Sequence, residues 1–106
     1  MMGENIGDMG GLSLALDAYR ASLKGAPAPV IDGLTGDQRV FLGWAQVWRA
    51  KMRDDTLKQR LVSDPHSPSL YRVNGTIRNI PGWYDAWNVQ AGDKLYVAPG
   101  ERVDIW

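Results

Sequence analysis

Apolar residues recur along the first quarter of the chain with the step of a helix. Leu12, Leu16, Tyr19 and Leu23 stand four, three and four apart, and Ile6 and Met9 extend the stripe backward. This pattern predicts an amphipathic helix from about Asn5 to Lys24. Gly10 and Gly11 inside it cost roughly 1 kcal/mol each relative to alanine, which suggests close packing against another backbone. Gly25-Ala26-Pro27-Ala28-Pro29 cannot continue a helix and reads as a surface connection. Thr35 followed by Gln38 fits a capping box, and Val40, Phe41, Trp44, Ala45, Val47 and Trp48 then recur at helical spacing over a broad face. Asp54 and Asp55 ahead of Leu57 and Leu61 predict a third, shorter helix that stops near Asp64, because Pro65 follows. Beyond it, Ser67-Pro68 reads as a cap and first helical position for a short turn through Tyr71, and Asn74-Gly75 as a turn. Pro81 opens a further short helix with Trp83 and Trp87 on one side, and Leu95, Tyr96 and Val97 suit one brief strand. The expected fold class is mainly α, with an irregular second half and at most one or two short strands.

Composition narrows the function classes. The chain has 106 residues, the size of one small domain, with 12 basic and 12 acidic side chains. A balanced chain has no net field to attract nucleic acid or an anionic membrane, and a DNA-binding helical domain would need a basic face. No run of residues is long and apolar enough to span a bilayer. With no cysteine and a single histidine, His66, the chain cannot by itself form a thiolate site or a zinc site with two imidazoles. Five tryptophans and 44% hydrophobic residues argue against disorder.

Three places carry candidate chemistry: Glu4-Asn5-Ile6-Gly7-Asp8 with Gly10-Gly11, then Asp64-Pro65-His66-Ser67-Pro68, then Tyr71-Arg72-Val73-Asn74-Gly75. Glu4 and Asp8 are four apart, so on a helix that begins early enough both carboxylates project from one face. One carboxylate then suits a metal and the other the free ring N–H of a coordinating histidine. Plainer readings stand beside this one. Acidic residues in a first helical turn are favoured by the macrodipole without any metal. His66 between two prolines suits an exposed loop, Arg72 suits a surface ion pair, and Trp44 and Trp48 suit a core.

The run Glu4-Asn5-Ile6-Gly7-Asp8-Met9-Gly10-Gly11 resembles the Glu-Asn-Ile-Ala-Asp-x-Gly-Gly motif of the neprilysin and endothelin-converting-enzyme family, with Gly7 in place of the usual alanine. Phe41-Leu42-Gly43-Trp44-Ala45-Gln46-Val47-Trp48 is similar to that family's Phe-x-x-x-Ala-Gln-x-Trp helix. His66-Ser67-Pro68, Arg72-Val73-Asn74-Gly75 and the closing Val103-Asp104-Ile105-Trp106 follow in the family's order, so the resemblance runs from Gly3 to Trp106. It implies the C-terminal part of the helical catalytic domain of a thermolysin-like zinc metallopeptidase. In such a site Glu4 corresponds to the third protein ligand of the zinc, and Asp8 to the aspartate that orients a zinc-binding histidine. His66 corresponds to the histidine that hydrogen-bonds the oxyanion of the tetrahedral intermediate, an interaction often worth about 3 kcal/mol in the transition state. Arg72 corresponds to the arginine that holds a substrate carbonyl, and Val47 and Trp48 to residues lining the pocket for the side chain after the scissile bond.

The chain also departs from the pattern. Arg49 stands where vertebrate members have a cysteine in the Ala-Gln-x-Trp helix, which implies a bacterial-type member. The His-Glu-x-x-His run, which brings two zinc ligands and the general base, is absent from the sequence. The expectation is therefore an incomplete catalytic domain over residues 1–106, a fragment or truncated product. Its parent holds one Zn2+ and cleaves peptides, whereas the fragment binds no zinc alone and is inactive. Its expected partners are the missing upstream part of the domain and the parent's peptide substrates, not nucleic acid, and no membrane segment is expected in this chain. Leu12, Leu16, Trp44 and Trp48 are expected to face that missing part, leaving apolar surface for self-association. An exported or periplasmic parent fits the family, and some bacterial relatives are cytoplasmic. The rival reading is a free-standing helical interaction module, with Trp44, Trp48, Trp83 and Trp87 at a partner interface.

Overall fold

A computed structural model describes residues 2–49, 53–63 and 68–105. It contains five α-helices: α1 (Met2–Ser22), α2 (Gly36–Val47), α3 (Asp54–Ser63), α4 (Ser69–Ile77) and α5 (Pro81–Trp87), followed by a single 3₁₀ turn at Pro99–Glu101. The mainly helical expectation holds. α1 starts three residues ahead of Asn5, at Met2, which puts Glu4 in its first turn. In the turn that follows it, Lys24 and Gly25 are both at positive φ (51° and 82°), and glycine relieves the strain of the left-handed region.

The chain then runs to a tight reversal. Ile31 and Leu34 exchange backbone hydrogen bonds of 3.1 and 3.0 Å across Asp32 and Gly33, both at positive φ, as a type I′ turn requires. Thr35 caps α2 as the sequence predicts. Its Oγ1 accepts from the Gln38 amide at 3.2 Å, and the Gln38 side chain accepts from the Thr35 amide at 3.0 Å. The Gln38 Nε2 also donates to the Ala86 carbonyl at 2.9 Å, so the same cap ties α2 to α5.

The core gathers Leu12 and Leu16 from α1, Phe41 from α2, Ile77 from α4, and Ile80, Trp83 and Tyr84 at α5. This corrects the expectation that Leu12 and Leu16 face outward: they are 4% and 3% exposed, and the helix stripe is spent on the chain's own core. Trp83 is buried there as well and offers no partner interface. α5 approaches α1 closely at Gly82, where a Cβ would stand 2.6 Å from Leu16 Cδ2. Gly11, by contrast, has open space where a Cβ would go, so close packing does not account for it.

Two local expectations fail. Asn74-Gly75 is not a turn but the interior of α4, because packing of Val73, Thr76 and Ile77 against the core outweighs the cost of a helical glycine. Leu95 to Val97 form no strand. With no strand among the described residues to pair with, their backbone groups find other partners: Arg78 Nε donates to the Leu95 carbonyl at 3.2 Å, the Tyr96 amide donates to the Asp93 carbonyl at 3.0 Å, and Tyr84 Oη accepts from the Val97 amide at 3.0 Å. Pro68 is the N-cap of α4 rather than its first residue, and Ser67 lies outside the described residues. α3 buries none of its residues.

Candidate functional site

The site is built where α1, α2 and α4 meet. On α1, Glu4 is exposed in the first turn, and Asp8, one turn further, is buried at 9% exposure. From the first turn of α4, Arg72 reaches Asp8 with two parallel hydrogen bonds: Nε to Oδ2 at 2.8 Å and Nη2 to Oδ1 at 2.7 Å. The arginine side chain is only 13% exposed. A bidentate, charge-assisted pair of this kind fixes both side chains in angle as well as distance. An ionised carboxylate offers about four lone-pair positions, so Asp8 keeps acceptor capacity beyond the two Arg72 bonds.

α2 supplies the wall. The Arg72 guanidinium sits over the ring of Trp48, at the C-terminal end of α2, with 3.7 Å from Cζ to the ring centroid. Such stacking adds attraction from the ring quadrupole and excludes water from one side of the ion pair. Trp44, one turn earlier, meets Trp48 edge-on at 5.5 Å between ring centroids and 67° between planes. Its indole N–H donates to the Arg72 carbonyl at 3.2 Å. Trp48 Nε1 is itself buried and has no acceptor among the described residues. Beside the two tryptophans, a groove of about 430 Å³ runs between α2 and α4, lined by Leu42, Ala45, Trp48, Leu70 and Val73 among others.

The structure thus brings together Asp8, Arg72 and Trp48, with Glu4 one turn before Asp8 on α1. Val47 ends α2 at 72% exposure. His66 lies outside the described residues. Sequence reasoning missed the Asp8–Arg72 pair, whose members are 64 positions apart, and the bond from Trp44. No local pattern announces either one. The family motif gave each residue a separate role and leaves position 44 open.

A helical unit that carries an exposed and a buried carboxylate one turn apart on its first helix keeps the features on which the family resemblance rests, and the comparisons agree with that resemblance. Residues 1–103 match the profile described as Peptidase family M13. The chain is 37% identical over 98% of its length to Neprilysin-1 of Caenorhabditis elegans, and 36% identical over 99% to Endothelin-converting enzyme 1 of Homo sapiens. It spans 14% of the length of each of those relatives. A Mycobacterium tuberculosis zinc metalloprotease solved in complex with an inhibitor superposes with a TM-score of 0.96 and 59% identity, over 98% of this chain and 16% of that one. The chain belongs to peptidase family M13. Its likeness to the mycobacterial enzyme fits the bacterial type that the missing cysteines imply.

Proposed function

We propose that this chain forms part of the catalytic domain of a zinc-dependent endopeptidase, in which Glu4 ligates the metal and Asp8 holds a ligating histidine supplied from elsewhere. The observation that carries the reading is the contrast on α1. Glu4 presents an exposed carboxylate, and Asp8, one turn on, is buried and locked by Arg72. The described residues contain no group of three or more histidine, cysteine, aspartate or glutamate side chains able to hold a metal. Glu4 fits as one carboxylate donor of a tetrahedral set, and the remaining donors must come from outside the described residues. Bound zinc supplies Lewis acidity toward a peptide carbonyl. The chain's own residues do the rest of the work assigned here. Asp8 accepts a ring N–H and so fixes the orientation of the ligand. Arg72 is rigidly aimed by Asp8 and Trp48 and donates to a substrate carbonyl. His66 donates to the oxyanion, and Val47 and Trp48 border the pocket for the side chain after the scissile bond. Exposed apolar side chains at Val47, Val62 and Leu70 provide surface for docking on the remainder of such a domain.

The test is a calorimetric zinc titration of the chain alone, and then of the chain mixed with a peptide carrying a His-Glu-x-x-His helix. Zinc binding only in the mixture, and its loss on Glu4→Ala, is the expected outcome. No zinc binding in a mixture shown to form a folded complex would refute the assignment. The chain alone is expected to show no peptidase activity.

A further inference from the structure

Trp44 stands at a position that the Phe-x-x-x-Ala-Gln-x-Trp pattern leaves open, yet it touches Arg72 by two routes. Directly, its indole N–H donates to the Arg72 carbonyl at 3.2 Å. Indirectly, its ring meets the edge of Trp48, which lies 3.7 Å from the guanidinium of the same arginine. Trp44 is also partly buried, packed against the hydrophobic core. α2 thereby grips both ends of Arg72, the backbone through Trp44 and the side chain through Trp48.

The grip matters because of what Arg72 does next. Its two bonds to Asp8, at 2.7 and 2.8 Å, require that both N–H vectors meet both carboxylate oxygens at once. A small slide or rotation of the first turn of α4 relative to α1 breaks one of them. We propose that Trp44 is a positioning residue. Its indole N–H fixes the first turn of α4 so that Arg72 meets Asp8 in bidentate register. This deepens the peptidase reading and rests on it, since Asp8 and Arg72 are the residues assigned to ligand orientation and substrate binding. It also makes a sharp chemical statement: the property that counts at position 44 is the N–H, not the bulk. Phenylalanine would keep most of the ring and lose the bond.

The experiment is two-dimensional ¹⁵N NMR of this chain, following solvent exchange of the Arg72 Nε–H, the group that donates to Asp8. The core amides of Phe41 and Trp83 serve as references. In Trp44→Phe the Arg72 Nε–H is expected to exchange about fivefold to tenfold faster, the consequence of losing one ordinary hydrogen bond. The reference amides keep their rates. An unchanged Arg72 rate, or an equal acceleration at every site as a purely structural role would give, overturns the proposal. Should Trp44→Phe not fold, the native chain is read directly. An indole N–H of Trp44 that exchanges about tenfold more slowly than that of Trp87, which is 39% exposed, supports the bond, and equal rates overturn it. Neither readout needs zinc. A failed zinc titration beside the expected exchange pattern would count against the peptidase reading and for the positioning.

Discussion

Replacing Arg72 with methionine removes the cation from a pair whose side chains are 13% and 9% exposed, and leaves the Asp8 carboxylate buried without its partner. A charge stranded in this way costs about 3–5 kcal/mol, far above the roughly 0–1 kcal/mol of a solvated surface pair. A domain of this size has about 5–15 kcal/mol of stability in total, so the single variant should be severely weakened or unfolded. The converse variant, Asp8→Leu, removes the carboxylate from the guanidinium and should lose less, since the Trp48 ring still covers the cation. The double variant Asp8→Leu/Arg72→Met exchanges the pair for apolar groups of comparable volume and should recover much of the loss. Urea denaturation followed by tryptophan emission measures all four proteins. With a denaturant slope of about 1.5 kcal/mol/M, a loss of about 3 kcal/mol moves the midpoint down by about 2 M. If both single variants moved it by less than about 0.5 M, or if the double variant were no better than the worse single, the pair would be behaving as a solvated one. The account of a rigid, buried Asp8–Arg72 unit would then be wrong.

Gly82→Ala should destabilise the chain by about 1–3 kcal/mol, because its Cβ would stand 2.6 Å from Leu16 Cδ2; a thermal melt within a degree of the parent would refute the close approach of α5 to α1. Tyr84→Phe removes an oxygen that donates to the Arg78 carbonyl at 2.6 Å and accepts from the Val97 amide at 3.0 Å. A loss of about 1–3 kcal/mol is expected, with faster amide exchange at Val97 as the direct readout. Glu4→Ala touches an exposed side chain and should leave the urea midpoint almost unchanged, within about 0.5 kcal/mol, while removing zinc binding from the reconstituted mixture. A large stability loss in that variant would show that Glu4 is chiefly structural.

Where local chemistry dictated local structure, the sequence was readable. Thr35 and Gln38 announced the start of α2 through a reciprocal bond that needs no tertiary partner, and Pro81 marked α5. Asp32-Gly33 is an equally local signal for a tight reversal, legible in retrospect but not read. Asn74-Gly75 misled for the opposite reason. Its turn propensity is weak against the burial of Thr76 and Ile77 in one helix, so tertiary packing decided the outcome. Leu95 to Val97 have strand-forming side chains, but a strand is a property of two segments, and Tyr84 and Arg78 took the backbone groups instead. Periodicity and spacing placed Glu4 and Asp8 on one face. The roles assigned to them came from the family motif. The Asp8–Arg72 bond, which gives the face its asymmetry, was visible only in three dimensions.

The division of tasks proposed for two identical functional groups on one helix rests on that asymmetry. Successive turns of α1 present Glu4 and Asp8 about 6 Å apart along the axis, at the 1.5 Å rise per residue of any α-helix. Their chemistry diverges through what other elements bring to them. α4 brings a guanidinium to Asp8, and α2 closes over that guanidinium with Trp48, so this carboxylate is held in angle and removed from water. Glu4, in the first turn of the same helix, stays exposed. A group that must orient a ligand benefits from immobility, and a group that must meet a metal needs access. α1 therefore provides the spacing, while α2 and α4 provide the difference. It follows that disturbing Trp48 or Arg72 should change the buried carboxylate before it changes the exposed one, whereas substituting Glu4 should leave the Asp8–Arg72 geometry intact.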